Sequence, residues 1–296
     1  MIKLTGRDHL NDGEKDGEAM ARADKEKRSK KAIEKEWRAL AKKEERMTGA
    51  YRKEAPPAGW RQTLEAKVPD KIRISLEKAF CLAFSTVFEK GIGIIEKSYD
   101  REKILGNLQI HDYAFQVKGN RKTLKKVRNS ASLFNLGCIA ATTVEGVGLG
   151  ALGIGLPDIV IFTGMLLRGI YETALHYGFD YNSPEERYFI LKLMEASIQK
   201  GEAWCELDKE IDAMFMEEGA AAVMQEKVRE QIERTSDAFA ADMLALKFIQ
   251  GLPVVGILGG CGNPVYYHKV MKYVRLKYYK RYLWGYYREN GAHGNL

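Results

Sequence analysis

Apolar residues recur along this chain at helical spacing, and almost nowhere at the alternating spacing of a strand. From Glu14 to Glu54 the chain is dense in charge, but Ile33, Trp37, Leu40, Met47 and Tyr51 follow one another in steps of four, three, seven and four. Those steps mark a single helical stripe on an otherwise solvated helix. The stripe lies on the core of its own chain or, as the sharper alternative, in a coiled coil with another chain. The breaker Ala55-Pro56-Pro57-Ala58-Gly59 ends it. Pro69 opens the next helix, whose wide apolar face (Ile72, Leu76, Ala79, Phe80, Ala83, Phe84, Val87, Phe88) suits a central position. Gly91 and Gly93 thin it near its end.

Further helices are expected over Lys103–Gln116 and Arg121–Phe134, with a turn at Gly119-Asn120. The second carries Lys122, Lys125, Lys126 and Arg128 outward, as a solvated face or a phosphate-contacting one. Ser183-Pro184-Glu185-Glu186 combines an N-cap serine, an N1 proline and a glutamate at N3, a capping box for the helix to Ile198. Trp204–Phe215 and an alanine-rich region from Gly219 to Gln250 follow. The fold class is all-α: a multi-helix bundle with glycine-rich helical hairpin elements and a long charged N-terminal helix. The expected organisation is a disordered tail over 1–13, the charged helix and Pro-rich turn over 14–59, a helical domain over 60–289 and a tail over 290–296.

The segment from Asn135 to Arg187 stands apart. Five glycines fall between Gly146 and Gly155. In a helix they cost about 4–5 kcal/mol against alanine. Close backbone approach offsets such a cost, and Gly146-x-x-x-Gly150 has the spacing for it; an irregular loop needing positive φ is the alternative. Gly153 and Gly155 continue the run. Pro157 then restarts the chain at a first helical position, with Asp158 favoured by the helix dipole, and Gly178 is a natural C′ residue. A second glycine element, Gly256-x-x-x-Gly260, precedes Asn263-Pro264, a good cap for the last helix.

That helix, Pro264 to Glu289, holds seven Lys/Arg and one acid, interleaved with tyrosines. The whole chain carries +7. Cations with aromatics suit a membrane–water interface, so Lys269, Lys272, Lys277, Lys280 and Arg281 are the expected lipid or phosphate contacts. The longest run with a single charge, Gly146 to Leu167, is split by Pro157 and carries Asp158, which argues against a span and for a hairpin buried in protein or dipping into one leaflet. Cys81, Cys138, Cys205 and Cys261 are far apart and contain no metal-binding spacing, so they read as reduced thiols of a cytosolic protein. Met1 to Asp24 has no signal-peptide pattern.

Catalytic candidates are few. Glu172 and His176 share a helix face at i, i+4, whereas di-iron bundles use i, i+3. His111 and Asp112 are adjacent and face apart. Glu145 and Asp158 flank the glycine run and could serve acid/base chemistry, the basis of an alternative reading as an enzyme. No hydrolase, zincin or phosphate-loop motif occurs, and neither a cofactor nor a metal site is implied. The last helix has the charge and aromatics for nucleic acid, but the known binding modules are missing.

Several segments together resemble one family: Val68-Pro69-Asp70-Lys71; a Thr-Val-Glu-Gly segment ending at Gly146, with its glycine run; Leu156-Pro157-Asp158-Ile159; Tyr177-Gly178-Phe179-Asp180; Pro184-Glu185-Glu186-Arg187; and Leu252-Pro253-Val254-Val255-Gly256, Gly259-Gly260 and Asn263, closing on Lys280-Arg281-Tyr282-Leu283. In order and spacing these are similar to the EcsC protein family over residues 30–288. Val147-Gly148, where a threonine is expected, is a departure. The resemblance implies a helical, membrane-associated protein and names no reaction. The expectation is a cytoplasmic protein peripheral to the membrane, working on an anionic membrane surface, with a protein partner as the other contact and an oligomeric state left open.

Overall fold

The computed structural model describes residues 9–53, 66, 68–133, 157–216, 225–249 and 264–289. Among these are ten α-helices and no strand. They are α1 (His9–Lys53), α2 (Asp70–Thr86), α3 (Ile92–Glu96), α4 (Arg101–Lys118), α5 (Arg121–Leu133), α6 (Pro157–His176), α7 (Pro184–Ile198), α8 (Gly201–Met216), α9 (Gln225–Ile249) and α10 (Pro264–Glu289). A wide π turn, Val87–Gly91, joins α2 to α3.

Three helices form the centre, each buried over most of its length. In α7 the run Phe189 to Met194 is buried at every position. In α6, Ile159, Val160, Leu166, Leu167, Ile170 and Tyr171 are all fully buried. A helix apolar all round has to be enclosed. The third is α10, which packs on α6, α7 and α1. α9 covers α2 and α7, α8 covers α7, and the α4–α5 hairpin leans on α6.

The stripe of α1 lies on this core. Ile33, Trp37, Leu40, Met47 and Tyr51 are all buried, against α10, α5 and α8. The face a coiled-coil partner would need is therefore used within the chain. Helicity begins at His9, ahead of the expected start.

Local signals explain several ends. Gly119 (φ 55°) closes α4 and Gly178 (φ 81°) follows α6, both left-handed, where an L side chain is strained. Asn120 Oδ1 accepts from the Thr123 amide at 3.1 Å, and Asp100 caps α4 through the Lys103 amide at 2.9 Å. The helix from Pro69 does not stop at Gly91. It widens there and continues to Glu96. A Cβ on Gly91 would sit 3.1 Å from Cγ1 of buried Val87, so the glycine makes room for the wide turn. At Ser183 only half of the capping box forms. Its Oγ accepts from the Glu186 amide at 3.1 Å, but the Glu186 carboxylate takes hydrogen bonds from Tyr278 and Arg281 instead. Two donors, one of them charged, outweigh a single backbone N–H.

The glycine that brings two central helices together is Gly169. A Cβ there would collide with the Tyr267 hydroxyl and come within 3.2 Å of Met271 Sδ, both on α10. Tyr267 and Met271 are buried and have little room to retreat. Gly169→Ala is expected to destabilise the fold by about 1–3 kcal/mol through overpacking. Urea unfolding checks this; an unchanged midpoint would mean that α6 and α10 do not meet there.

The glycines named from sequence, Gly146, Gly150, Gly153, Gly155, Gly256 and Gly260, lie outside the described residues, as do Glu145 and Asn263. Pro157 and Asp158 stand in the first turn of α6, with only their backbone described. No helix among the described residues is long and apolar enough to cross a membrane.

Candidate functional site

The last helix organises the polar chemistry of the molecule. Its tyrosines point in every direction and nearly every direction leads into protein, so each hydroxyl needs a buried partner. For six of the eight a carboxylate accepts. Tyr266 donates to Asp242 at 2.8 Å, Tyr273 to Asp208 at 2.7 Å, Tyr278 to Glu186 at 2.5 Å and Tyr279 to Glu36 at 3.0 Å. Tyr282 and Tyr286 both donate to Asp112, at 2.6 and 2.9 Å. These acids come from α9, α8, α7, α1 and α4. One helix is thereby hydrogen-bonded to five others.

Its cations follow the same logic, and this corrects part of the sequence expectation. Lys277 is fully buried. Its ammonium lies 2.8 Å from both Asp208 and Asp212 and 2.5 Å from Glu44. Lys280 reaches Glu44 at 2.6 Å and Asp212 at 2.7 Å. Arg281 donates to Glu186 at 2.7 Å and stacks on Phe179, 4.0 Å from its centroid. These three were expected at an anionic surface. They face protein because the tyrosines beside them bury the helix, and a buried cation must meet acids. Lys269 is half-buried beside the Tyr266 ring, and Lys272 is exposed.

Glu44, Asp208 and Asp212 present oxygens within 4.8 Å of one another, a spacing that could hold a metal ion. The Lys277 ammonium takes that place. Burial works against its charge, but Asp212, Asp208 and Glu44 outweigh burial and push its pKa up to about 12. Burial likewise opposes ionisation of Glu44, and Lys277 and Lys280 overcome it, holding that carboxyl below its usual range. At Asp208 burial wins and the pKa is raised.

Glu172 and His176 each have a different described partner. Glu172 is tied to Arg168 at 3.2 Å, and His176 Nε2 lies 2.9 Å from Ser130 Oγ. Burial, with His111 nearby, pushes the His176 pKa down to about 4. It is therefore a neutral core histidine at pH 7.

A different arrangement is open to a ligand. A cleft of about 510 Å³ lies where α1, α5 and α10 meet beside Tyr177. Lys43, Arg128, His268, Lys272 and Arg275 line it, with no carboxylate among its described lining residues. Arg128 donates to Glu36 at 3.0 Å and lies over the Tyr279 ring. Glu36 also accepts from Arg121 at 2.5 Å, so one acid answers two arginines. Partial burial, then Arg128, Lys272 and Arg275, lower the Lys43 pKa. Burial lowers that of Arg275. Like charges this close disfavour one another. A second cavity, about 520 Å³ between α7, α8 and α9, sets Lys192, Lys200 and Arg234 against Glu195, Glu206 and Glu210 and carries no such excess.

Of the cleft residues, Lys272 had been singled out from sequence, and Arg128 had been placed on a basic face. Lys43 and His268 had not. No window of sequence contains them together; only the crossing of α1, α5 and α10 does.

The α4–α5 hairpin has a separate character. Ile110, Tyr113 and Val117 are 65%, 70% and 51% exposed, at steps of three and four along one face of α4. Lys118, Lys122, Lys125 and Lys126 are exposed as well.

A model of the EcsC protein family matches residues 34–283 of the chain. No curated protein and no solved structure matches it.

Proposed function

The chain belongs to the EcsC protein family, and from that premise we propose that it works as a peripheral membrane protein, holding to an anionic bilayer on the cytoplasmic side by lipid contact. The observation that carries the reading is the exposed apolar stripe of α4, Ile110, Tyr113 and Val117, on a hairpin that also exposes Lys118, Lys122, Lys125 and Lys126. Large apolar groups left in water gain free energy from the acyl boundary, about 1.5–3 kcal/mol each at full burial. Each lysine near an anionic surface adds about 1 kcal/mol. Neither term alone holds a protein on a bilayer, and the two together give reversible, salt-sensitive binding. The contact surface is thereby moved from the last helix, whose central cations are bound to acids, to α4 and α5.

Sedimentation with vesicles tests it. Binding to phosphatidylglycerol vesicles is expected at low salt, weakened at high salt and absent with phosphatidylcholine alone. Replacing Lys122, Lys125 and Lys126 with glutamate is expected to lower it at least tenfold. Protein that stays in the supernatant at low salt would sink the reading.

A further inference from the structure

We propose that the cleft between α1, α5 and α10 is a binding site for a phosphate monoester or diphosphate group, with Lys43, Arg128, Lys272 and Arg275 as its cationic wall. The inference stands apart from the bilayer contact of α4 and α5 and uses different residues.

Four side chains of fixed positive charge, or nearly so, converge on one concave volume. Arg128 is bonded to Glu36, an acid shared with Arg121 and Tyr279. A folded chain that places like charges together spends stability on it, and ordinary surfaces disperse them. Desolvation first, and then Arg128, Lys272 and Arg275, depress the Lys43 pKa, so these cations act on one another across the cleft. A dianion relieves it, and a phosphate with three acceptor oxygens can take hydrogen bonds from several donors at once. Arginine gives planar two-point contacts, and Lys43 and Lys272 give point charges from opposite helices.

The volume narrows the ligand class. About 510 Å³ falls in the range of small-molecule sites and exceeds what a bare phosphate fills. The remaining wall combines the polar Asn129 and His268 with apolar or aromatic side chains, Ala39, Leu40, Leu276, Tyr177 and Tyr279. A phosphate attached to an uncharged organic body fits such a lining. The body is either that of a soluble phosphorylated metabolite or the glycerol end of a phospholipid.

Calorimetry on the full chain tests the site with two probes, inorganic pyrophosphate for a soluble ligand and short-chain phosphatidic acid below its micelle concentration for a headgroup. One-site binding of at least one probe is expected. Pyrophosphate alone assigns a soluble ligand, and phosphatidic acid alone assigns a headgroup. Lys43 and Lys272 are exposed, so Lys43→Glu with Lys272→Glu can be made without opening the core, and an unchanged melting temperature verifies it. That variant should bind the probe at least tenfold more weakly, while Lys227→Glu with Arg229→Glu, exposed on α9 and not among the cleft residues, should reduce binding less than threefold. In a second measurement, acetylation of the Lys43 amine should slow when the probe is present. If neither probe binds, if the cleft variant binds like the wild type, or if Lys43 is not protected, the site is overturned.

Discussion

Raising the pH through 10 should unfold this protein in one cooperative step. Tyr171, Tyr177, Tyr273, Tyr278, Tyr279 and Tyr282 are buried, and burial pushes every one of their pKa values well above the ordinary tyrosine range. Acids that accept their hydrogen bonds, such as Glu186 beside Tyr278 and Asp112 beside Tyr282, push in the same direction. The folded state therefore keeps protons that the unfolded chain gives up near pH 10. Stability is complete below that point and falls as pH rises, by about 1.4 kcal/mol per unit for each tyrosine. Six such groups lose about 8 kcal/mol over one unit, comparable to the whole stability of a typical domain. Lys277 adds to the same slope. Its contribution is full below the ordinary lysine value of 10.5 and is lost as pH climbs through about 12. Exposed tyrosines such as Tyr113 ionise without unfolding, so the absorbance of the buried six should appear as a second rise together with the loss of helical circular dichroism. Full tyrosinate absorbance reached while the helix is intact would show that these hydroxyls are open to water.

The second large effect is at Lys277. Lys277→Met keeps most of the side-chain volume and removes the charge, leaving Glu44, Asp208 and Asp212 with Lys280 alone. Removing one partner of a buried ionic group costs about 3–5 kcal/mol. The loss should appear as a lower urea midpoint at pH 7. It should also shrink on acidification. Without the ammonium, burial is less opposed at Glu44 and Asp208, so these carboxyls should take up protons in the folded state before they do in the unfolded chain, and lower pH should favour the fold. Adding Glu44→Gln and Asp208→Asn to Lys277→Met should recover much of the loss. If the single variant is as stable as the wild type, or the triple variant is no better than the single, the cluster does not bear on stability in this way.

How much of this was legible beforehand depends on the range of the signal. The stripe of α1, the apolar face from Ile72 to Phe88 and the left-handed positions Gly119 and Gly178 were readable because each is set by neighbours a few residues away. The widening at Val87–Gly91 was not, since it depends on how Val87 is packed. Half of the capping box was readable. The other half was lost to Tyr278 and Arg281, more than ninety positions away in the chain. The close-packing glycine was sought in the dense run from Gly146 to Gly155. The one described at a helix crossing is Gly169, isolated in sequence and conspicuous only once α10 lies against it.

The chain alone determined that it is helical, where most described helices begin and end, which faces are apolar, and the family to which it belongs. These follow from hydrogen bonding within a few residues and from periodicity, which a linear pattern carries in full. Only the packed structure decided where the charges of the last helix go. A lysine in a window of tyrosines looks the same whether it meets lipid phosphate or an aspartate, because its partner comes from elsewhere in the chain. Packing sent Lys277, Lys280 and Arg281 inward to acids from α1, α7 and α8. It left Lys272 in the cleft with Lys43 and Arg128. Electrostatic energy depends on distance in space and on burial, and neither is a property of position along the chain.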